Sequence, residues 1–325
     1  MNDSSGSAAC DKAPVLCRDG DKVGGDIAGQ PQDLSSPRTG RLDAEGTNGG
    51  TAHDNPTLPS WARLPINRCN LPAVILGSLT YQHTPAPLML DGVHELHRDF
   101  FRMLNTRETA EERVQLFHDY MTMCFRLESL EDAGFAPGMA KNRGKLNYLK
   151  LIRGWHFNSD SVEGAVLKAW VESRFGLLPR HHRAPIRDFS SEPYRLYLEQ
   201  RATGLYNTNA LESQLDLVYT FTQIELARRY PETQHFRLYR GVNRWEAHEI
   251  LGERVSGGKR ESILLLNNVN SFSTDFERAG EFGDHVIATE VPLTKIICCA
   301  QVMPGKLQGE GEALVVGGVY EVRRL

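Results

Sequence analysis

The chain changes character at Tyr230-Pro231, and that change does most to limit its fold. Before it, apolar residues recur at helical spacing. The clearest run is Leu211 to Tyr230, where Leu211, Leu215, Val218, Phe221, Ile224 and Leu226 lie close to a 3.6-residue period and predict a long amphipathic helix. Thr109-Ala110-Glu111-Glu112 has the form of a capping box and opens a second helix through Val114, Phe117, Tyr120, Met121, Cys124 and Phe125. Lys145 to Ile152, Ser161 to Phe175 and Tyr194 to Arg201 read as further helices. After Pro231 the runs become short and β-branched: Phe236–Tyr239, Ile263–Asn267, Val286–Val291, Ile296–Val302, Ala313–Val316 and Val319–Arg324. Gly317-Gly318 reads as a hairpin turn between the last two, and Phe276 to Phe282 as a short helix. Helices first and strands second predict an α+β fold, a helical half followed by a mixed or antiparallel β-core.

Residues 1–57 are rich in Gly, Ser, Asp, Pro and Thr and almost free of aromatics, so they are expected to form a disordered tail. The remaining 58–325 are expected to be a single domain, mainly helical over 58–230 and β-rich over 231–325. The stretch from Ala62 to Leu90, punctuated by Pro65, Pro72, Pro85 and Pro87, reads as extended or looping, with Ala73-Val74-Ile75-Leu76 a buried segment. A net charge of −4 leaves no electrostatic footprint for nucleic acid. Met1-Asn2-Asp3-Ser4-Ser5-Gly6 has neither a basic start nor an apolar stretch, so the default location is the cytoplasm. The six cysteines are scattered without a C-x-x-C pair, and no His spacing matches a zinc site, so neither a disulfide nor a metal is expected.

Three segments in the β-rich part carry the chemistry, each at the edge of a strand-like run. Leu238-Tyr239-Arg240-Gly241 offers a forked, permanently charged donor suited to phosphate oxygens, beside a glycine that lets a ligand approach the backbone. Ser271-Phe272-Ser273-Thr274-Asp275 offers hydroxyls that can fix a carboxylate's rotamer, with Asp275 read as the cap of the helix that follows. Glu310-Gly311-Glu312 places two carboxylates on one face if the segment is extended, and Glu312 leads directly into the buried run Ala313-Leu314-Val315-Val316. Each segment also has a plain reading: a surface salt bridge, a helix cap, two solvated glutamates. Together they suit cleavage of the nicotinamide–ribose bond of NAD, whose oxocarbenium-like centre needs a carboxylate and whose pyrophosphate needs a clamp.

In this order the segments resemble the R–S–E signature of mono-ADP-ribosyltransferases of the cholera-toxin and clostridial-toxin type, in which Glu-x-Glu accompanies arginine acceptors. Leu64 to Pro72, Gly154-Trp155-His156-Phe157-Asn158-Ser159 and Leu238 to Asn243 are similar to the dinitrogenase reductase ADP-ribosyltransferase family, over about residue 60 onward. The resemblance implies NAD as the ADP-ribose donor, dinitrogenase reductase as protein substrate and a PII-type signalling protein as regulator. It implies that Arg240 and Gly241, with Ser273 and Thr274, bind NAD, that Ser273 positions Glu312, that Glu312 is the catalytic glutamate, and that Glu310 engages the acceptor guanidinium. The loop Val302–Gly309 would face the acceptor protein. The family's Ser-Thr-Ser is here Ser273-Thr274-Asp275. Two other readings fit the same residues: a catalytically weak regulatory module that binds NAD or a partner, and an NAD glycohydrolase using water as acceptor.

Overall fold

The computed structural model describes residues 56–127, 146–206, 208, 210–256, 258–303 and 311–325. Nearly all of the expected tail, and Glu310 with most of the loop before it, therefore lie outside the described residues. Nine helices precede the main sheet among the described residues: α1 Ala73–Leu76, α2 Leu79–His83, α3 Val93–Leu96, α4 Arg98–Asn105, α5 Ala110–Phe125, α6 Tyr148–Phe157, α7 Val162–Phe175, α8 Glu192–Leu205 and α9 Leu211–Arg229. A two-residue hairpin, β1 His181–His182 and β2 Ala184–Pro185, lies between α7 and α8. Then come β3 His235–Val242, β4 Glu249–Ser256, β5 Lys259–Ser273, α10 Phe276–Gly280, β6 His285–Pro292, β7 Ile296–Cys299 and β8 Glu312–Arg324. The architecture is α+β, as the change of pattern at Tyr230 predicts. No helix of the described residues is long and apolar enough to cross a membrane.

Local chemistry explains the helix ends. Thr109 accepts from the Glu112 backbone N–H while Glu112 reaches back to the N–H of Thr109, completing the capping box of α5. Asn147 and Ser161 cap α6 and α7 in the same manner, and Asp275 accepts from the N–H groups of Glu277 and Arg278 to open α10. α9 is more enclosed than an amphipathic surface helix. Gln214, Thr222 and Glu225 are buried along with Leu215, Val218 and Phe221. The Phe221 ring stacks on Phe117 of α5 at 4.3 Å. Glu225 is tolerated there because Arg113 of α5 and Arg229 both donate to its carboxylate.

The six strands of the main sheet run in the order β4-β5-β3-β6-β8-β7, every pairing antiparallel, and β5 also pairs with β8. β5, β3, β6 and β8 thus form a closed circuit. The circuit is narrow at two corners: β3 meets β5 only at Tyr239↔Ser273, and β6 meets β8 only at Ile287↔Arg324 and Ala288↔Arg323.

Several expectations change here. Gly317-Gly318 is not a hairpin turn, because β8 runs through it without a break. The two glycines are there for clearance. A Cβ on Gly317 would lie 1.7 Å from the Asn267 carbonyl oxygen, and Gly318, at φ +116°, lies against the backbone of Gly77, whose carbonyl accepts from the Val319 N–H. β5 bulges opposite them between Leu266 and Val269. Asn268 turns out of the bulge and donates to the carbonyls of Lys168 and Leu177, fastening the sheet to α7. β5 is far longer than Ile263–Asn267, β7 ends at Cys299 instead of Val302, and β4 was not anticipated. Ala73–Leu76, read as part of an extended stretch, is a short helix that begins after Pro72.

Candidate active site

The three motif segments meet at one corner of the circuit. Ser273, the last residue of β5, is the Cα partner of Tyr239 on one side and of Glu312 on the other. Arg240 follows Tyr239 on β3, and Glu312 is the first residue of β8. The ladder beyond Ser273 continues on the β8 side as Phe272↔Ala313 and Ser271↔Leu314, but not on the β3 side. β3 and β8 are therefore joined by a single residue of β5.

Arg240 is partly buried and donates from Nη1 to the Ser271 carbonyl at 2.7 Å. No carboxylate pairs with it among the described residues. Burial pushes its guanidinium pKa down to about 10, still well above neutrality, so the side chain is a charged fork with donors to spare. Its charge is felt nearby: His248 titrates below the usual histidine range through burial first and then through Arg240 and His181. A partly buried guanidinium with no carboxylate partner among the described residues is a receptor for an anion such as a pyrophosphate.

Gly241 has a different reason from the one expected. A Cβ there would lie 2.3 Å from the Ala279 carbonyl oxygen and 2.8 Å from the Gly283 nitrogen. The glycine lets the segment around α10 pack flat against β3, directly beside Arg240. At the other edge, the Thr274 N–H donates to the Gly311 carbonyl, and Gly311 adopts φ +77°, so the chain turns sharply into Glu312.

The two serines of β5 have separate duties. Ser271 Oγ accepts from Trp155 Nε1 at 2.8 Å, which ties the C-terminal turn of α6 to β5. Ser273 is buried, and its Oγ accepts from the Asp275 N–H at 3.0 Å, shaping the turn into α10. Register places Ser273 beside Glu312, but the side chain found against the Glu312 carboxylate is His156: its Nδ1 contacts Oε1. His156 is the residue after Trp155 on α6, so consecutive residues of one helical turn reach β5 and β8. Sequence reading takes Trp155-His156-Phe157 as core packing more readily than as a ligand platform, since nothing local shows that α6 packs against residues more than a hundred positions away. That His248 lies within reach of the Arg240 charge went unremarked for the same reason.

Arg240, Ser273, Thr274 and Glu312 are thus brought to one corner, and Glu310 lies outside the described residues. The arrangement can bind an anion at Arg240 and present a carboxylate at Glu312 on the neighbouring strand edge. Among the described residues no group of three or more His, Cys, Asp or Glu side chains could hold a metal ion.

The family model for dinitrogenase reductase ADP-ribosyltransferase matches residues 66–324. The NAD(+)–dinitrogen-reductase ADP-D-ribosyltransferase of Rhodospirillum rubrum is 38% identical over 261 residues, which is 79% of this chain and 93% of that protein. No solved structure matches the chain.

Proposed function

We propose, from the premise that this chain belongs to the dinitrogenase reductase ADP-ribosyltransferase family, that it transfers ADP-ribose from NAD to an arginine of dinitrogenase reductase. The observation that carries this reading is the corner itself: a partly buried Arg240 with no carboxylate partner among the described residues and a Glu312 carboxylate on strands that share Ser273 as their common neighbour.

The reaction needs two kinds of help. The bond from the ribose anomeric carbon to nicotinamide breaks, and nicotinamide leaves with the electron pair as a neutral molecule. The carbon left behind is oxocarbenium-like, and a fixed carboxylate stabilises it. Glu312 supplies that charge, while Arg240 holds the pyrophosphate so that the scissile bond lies over Glu312. Ser273 and Thr274 border the same pocket, and Ser273 helps to set the Glu312 rotamer. A guanidinium nitrogen of the acceptor then forms the new bond and loses a proton. Glu310 is assigned to orient that guanidinium and take the proton.

In this reading residues 58–325 are the catalytic domain, the protein works in the cytoplasm, and the loop before Glu310 faces the acceptor. Family membership also suggests regulation by a PII-type signalling protein. The decisive experiment incubates the full chain with NAD labelled in its ADP-ribose part, with and without dinitrogenase reductase, and reads nicotinamide release and arginine modification together. Label on a dinitrogenase reductase arginine supports the proposal. Nicotinamide release that is unaffected by the acceptor, with no label transferred, would favour a glycohydrolase, and binding without turnover a regulatory module.

A further inference from the structure

We infer that His156 is the positioning residue of this site: its Nδ1–H donates to Oε1 of Glu312 and fixes the carboxylate at the mouth of β8. The inference rests on the transferase reading of Glu312 and adds to it a group from the helical half of the chain.

Three observations carry it. His156 Nδ1 contacts Glu312 Oε1, and the histidine side chain is only 6% exposed. Both ring nitrogens are buried and neither makes a hydrogen bond of ordinary geometry among the described residues, so the Glu312 carboxylate oxygen at Nδ1 is the polar atom the ring lies against. A proton on Nε2 has no acceptor within reach, whereas a proton on Nδ1 lies against a carboxylate oxygen, so Nδ1 is the nitrogen assigned the proton. A histidine that served only to fill the core would ordinarily have both nitrogens satisfied. Here neither is, and the polar group found against the ring is the carboxylate of the site.

The ring is also aimed from a rigid base. Trp155, its neighbour, is buried and donates to Ser271 Oγ at 2.8 Å. Lys168 Nζ lies 5.8 Å from the Trp155 ring centroid and is itself anchored on Asp160 at 2.9 Å. Gly154, just before, gives Glu163 of α7 room to pack: a Cβ there would lie 2.5 Å from the Glu163 side chain. The last turn of α6 is thus fixed to α7 and to β5 before His156 reaches β8. A carboxylate held this way keeps its charge directed at the ribose without rearranging during the reaction.

The test uses the full chain with His156→Asn and His156→Phe. Asparagine places an N–H donor near the position of Nδ1, while phenylalanine keeps the ring shape and removes the donor. The expected result is a drop in kcat for nicotinamide release of about 10²-fold in His156→Phe, in the range for loss of one preorganised donor. The KM for NAD should stay within about 2-fold, because a positioning role acts on the transition state more than on ground-state binding. His156→Asn should recover most of the rate. Equal losses in both variants, or a raised KM with unchanged kcat, would overturn the inference while the transferase reading stands. A wild type that releases no nicotinamide would remove that reading and the inference with it. Should His156→Phe fail to fold, the ¹⁵N spectrum of histidine-labelled wild type decides independently, with the His156 signals assigned by their loss in His156→Asn. A proton on Nδ1 supports the inference, and a proton on Nε2 overturns it.

Discussion

Arg240 and Ser271 are joined by a side-chain-to-backbone hydrogen bond of 2.7 Å, from Nη1 to the Ser271 carbonyl. This bond orients the guanidinium along β5 and leaves its remaining N–H groups free for a ligand. A lysine carries the same charge but presents its three donors from a single nitrogen, without the planar fork that lets Arg240 hold the carbonyl with one nitrogen and offer the others to a phosphate. Arg240→Lys is therefore expected to raise the KM for NAD by roughly 10- to 100-fold, the equivalent of losing about 1.5–3 kcal/mol of charged hydrogen bonding. Initial-rate kinetics of nicotinamide release measure it. An unchanged KM would show that the pyrophosphate lies elsewhere.

Glu312→Gln is expected to lower the rate of both transfer and hydrolysis by about 10²–10³-fold with little change in melting temperature. The amide keeps the shape that packs against His156, so the contact between α6 and β8 is retained while the negative charge is not. Melting curves and nicotinamide release on the same sample decide it. Near-normal turnover would take Glu312 out of the mechanism.

Gly241→Ala is expected to destabilise the protein by about 1–3 kcal/mol, since the added methyl meets the backbone at Ala279 and Gly283 instead of a side chain that can swing away. Because β3 must shift to admit it, NAD affinity should fall along with stability. Urea titration and NAD-dependent rates are the two readouts, and an alanine variant as stable as wild type would contradict the packing argument.

Lys295 gives a pH prediction. It is fully buried, donates to the Gly317 carbonyl at 3.0 Å and lies 4.5 Å from the Tyr320 ring centroid, and burial pushes its pKa down to about 7. In the unfolded chain a lysine titrates near 10.4. Between those values the unfolded state binds more protons, so this residue's contribution to stability rises with pH over that window. Below pH 7 both states carry the charge and the full burial cost is present. Lys295→Met removes the term. The melting temperature of the variant relative to wild type should be highest at pH 6.5 and fall by pH 8.5. A difference that does not vary with pH would show that Lys295 is not titrating in the folded protein.

How much was legible in the sequence depends on the range of the interaction involved. The capping box at Thr109 and the Asp275 cap were readable because each bond spans a few residues. α9 was readable in position but not in setting, because its buried Glu225 depends on Arg113, far away in sequence. β4 escaped notice because Glu249, Glu253 and Arg254 break any apolar alternation, as suits an edge strand. Gly317-Gly318 misled because a glycine pair that signals a turn locally is required here by the approach of Asn267 and Gly77. At the site, the order of Arg240, Ser273 and Glu312 could be read. That Ser273 sits between the other two strands is a matter of ladder register, and that His156 reaches Glu312 is a matter of tertiary packing. Neither leaves a local trace.

The closed circuit of strands also has a meaning for biosynthesis. Every pairing that closes it on one side belongs to β8, the last strand in chain order among the described residues, and the residue that opens β8 is Glu312. In the transferase reading, a nascent chain that has already released Arg240, Ser273 and His156 still lacks the carboxylate assigned to the ribose, and its sheet is unsealed. Sealing of the circuit and arrival of that carboxylate therefore fall on the same stretch of chain.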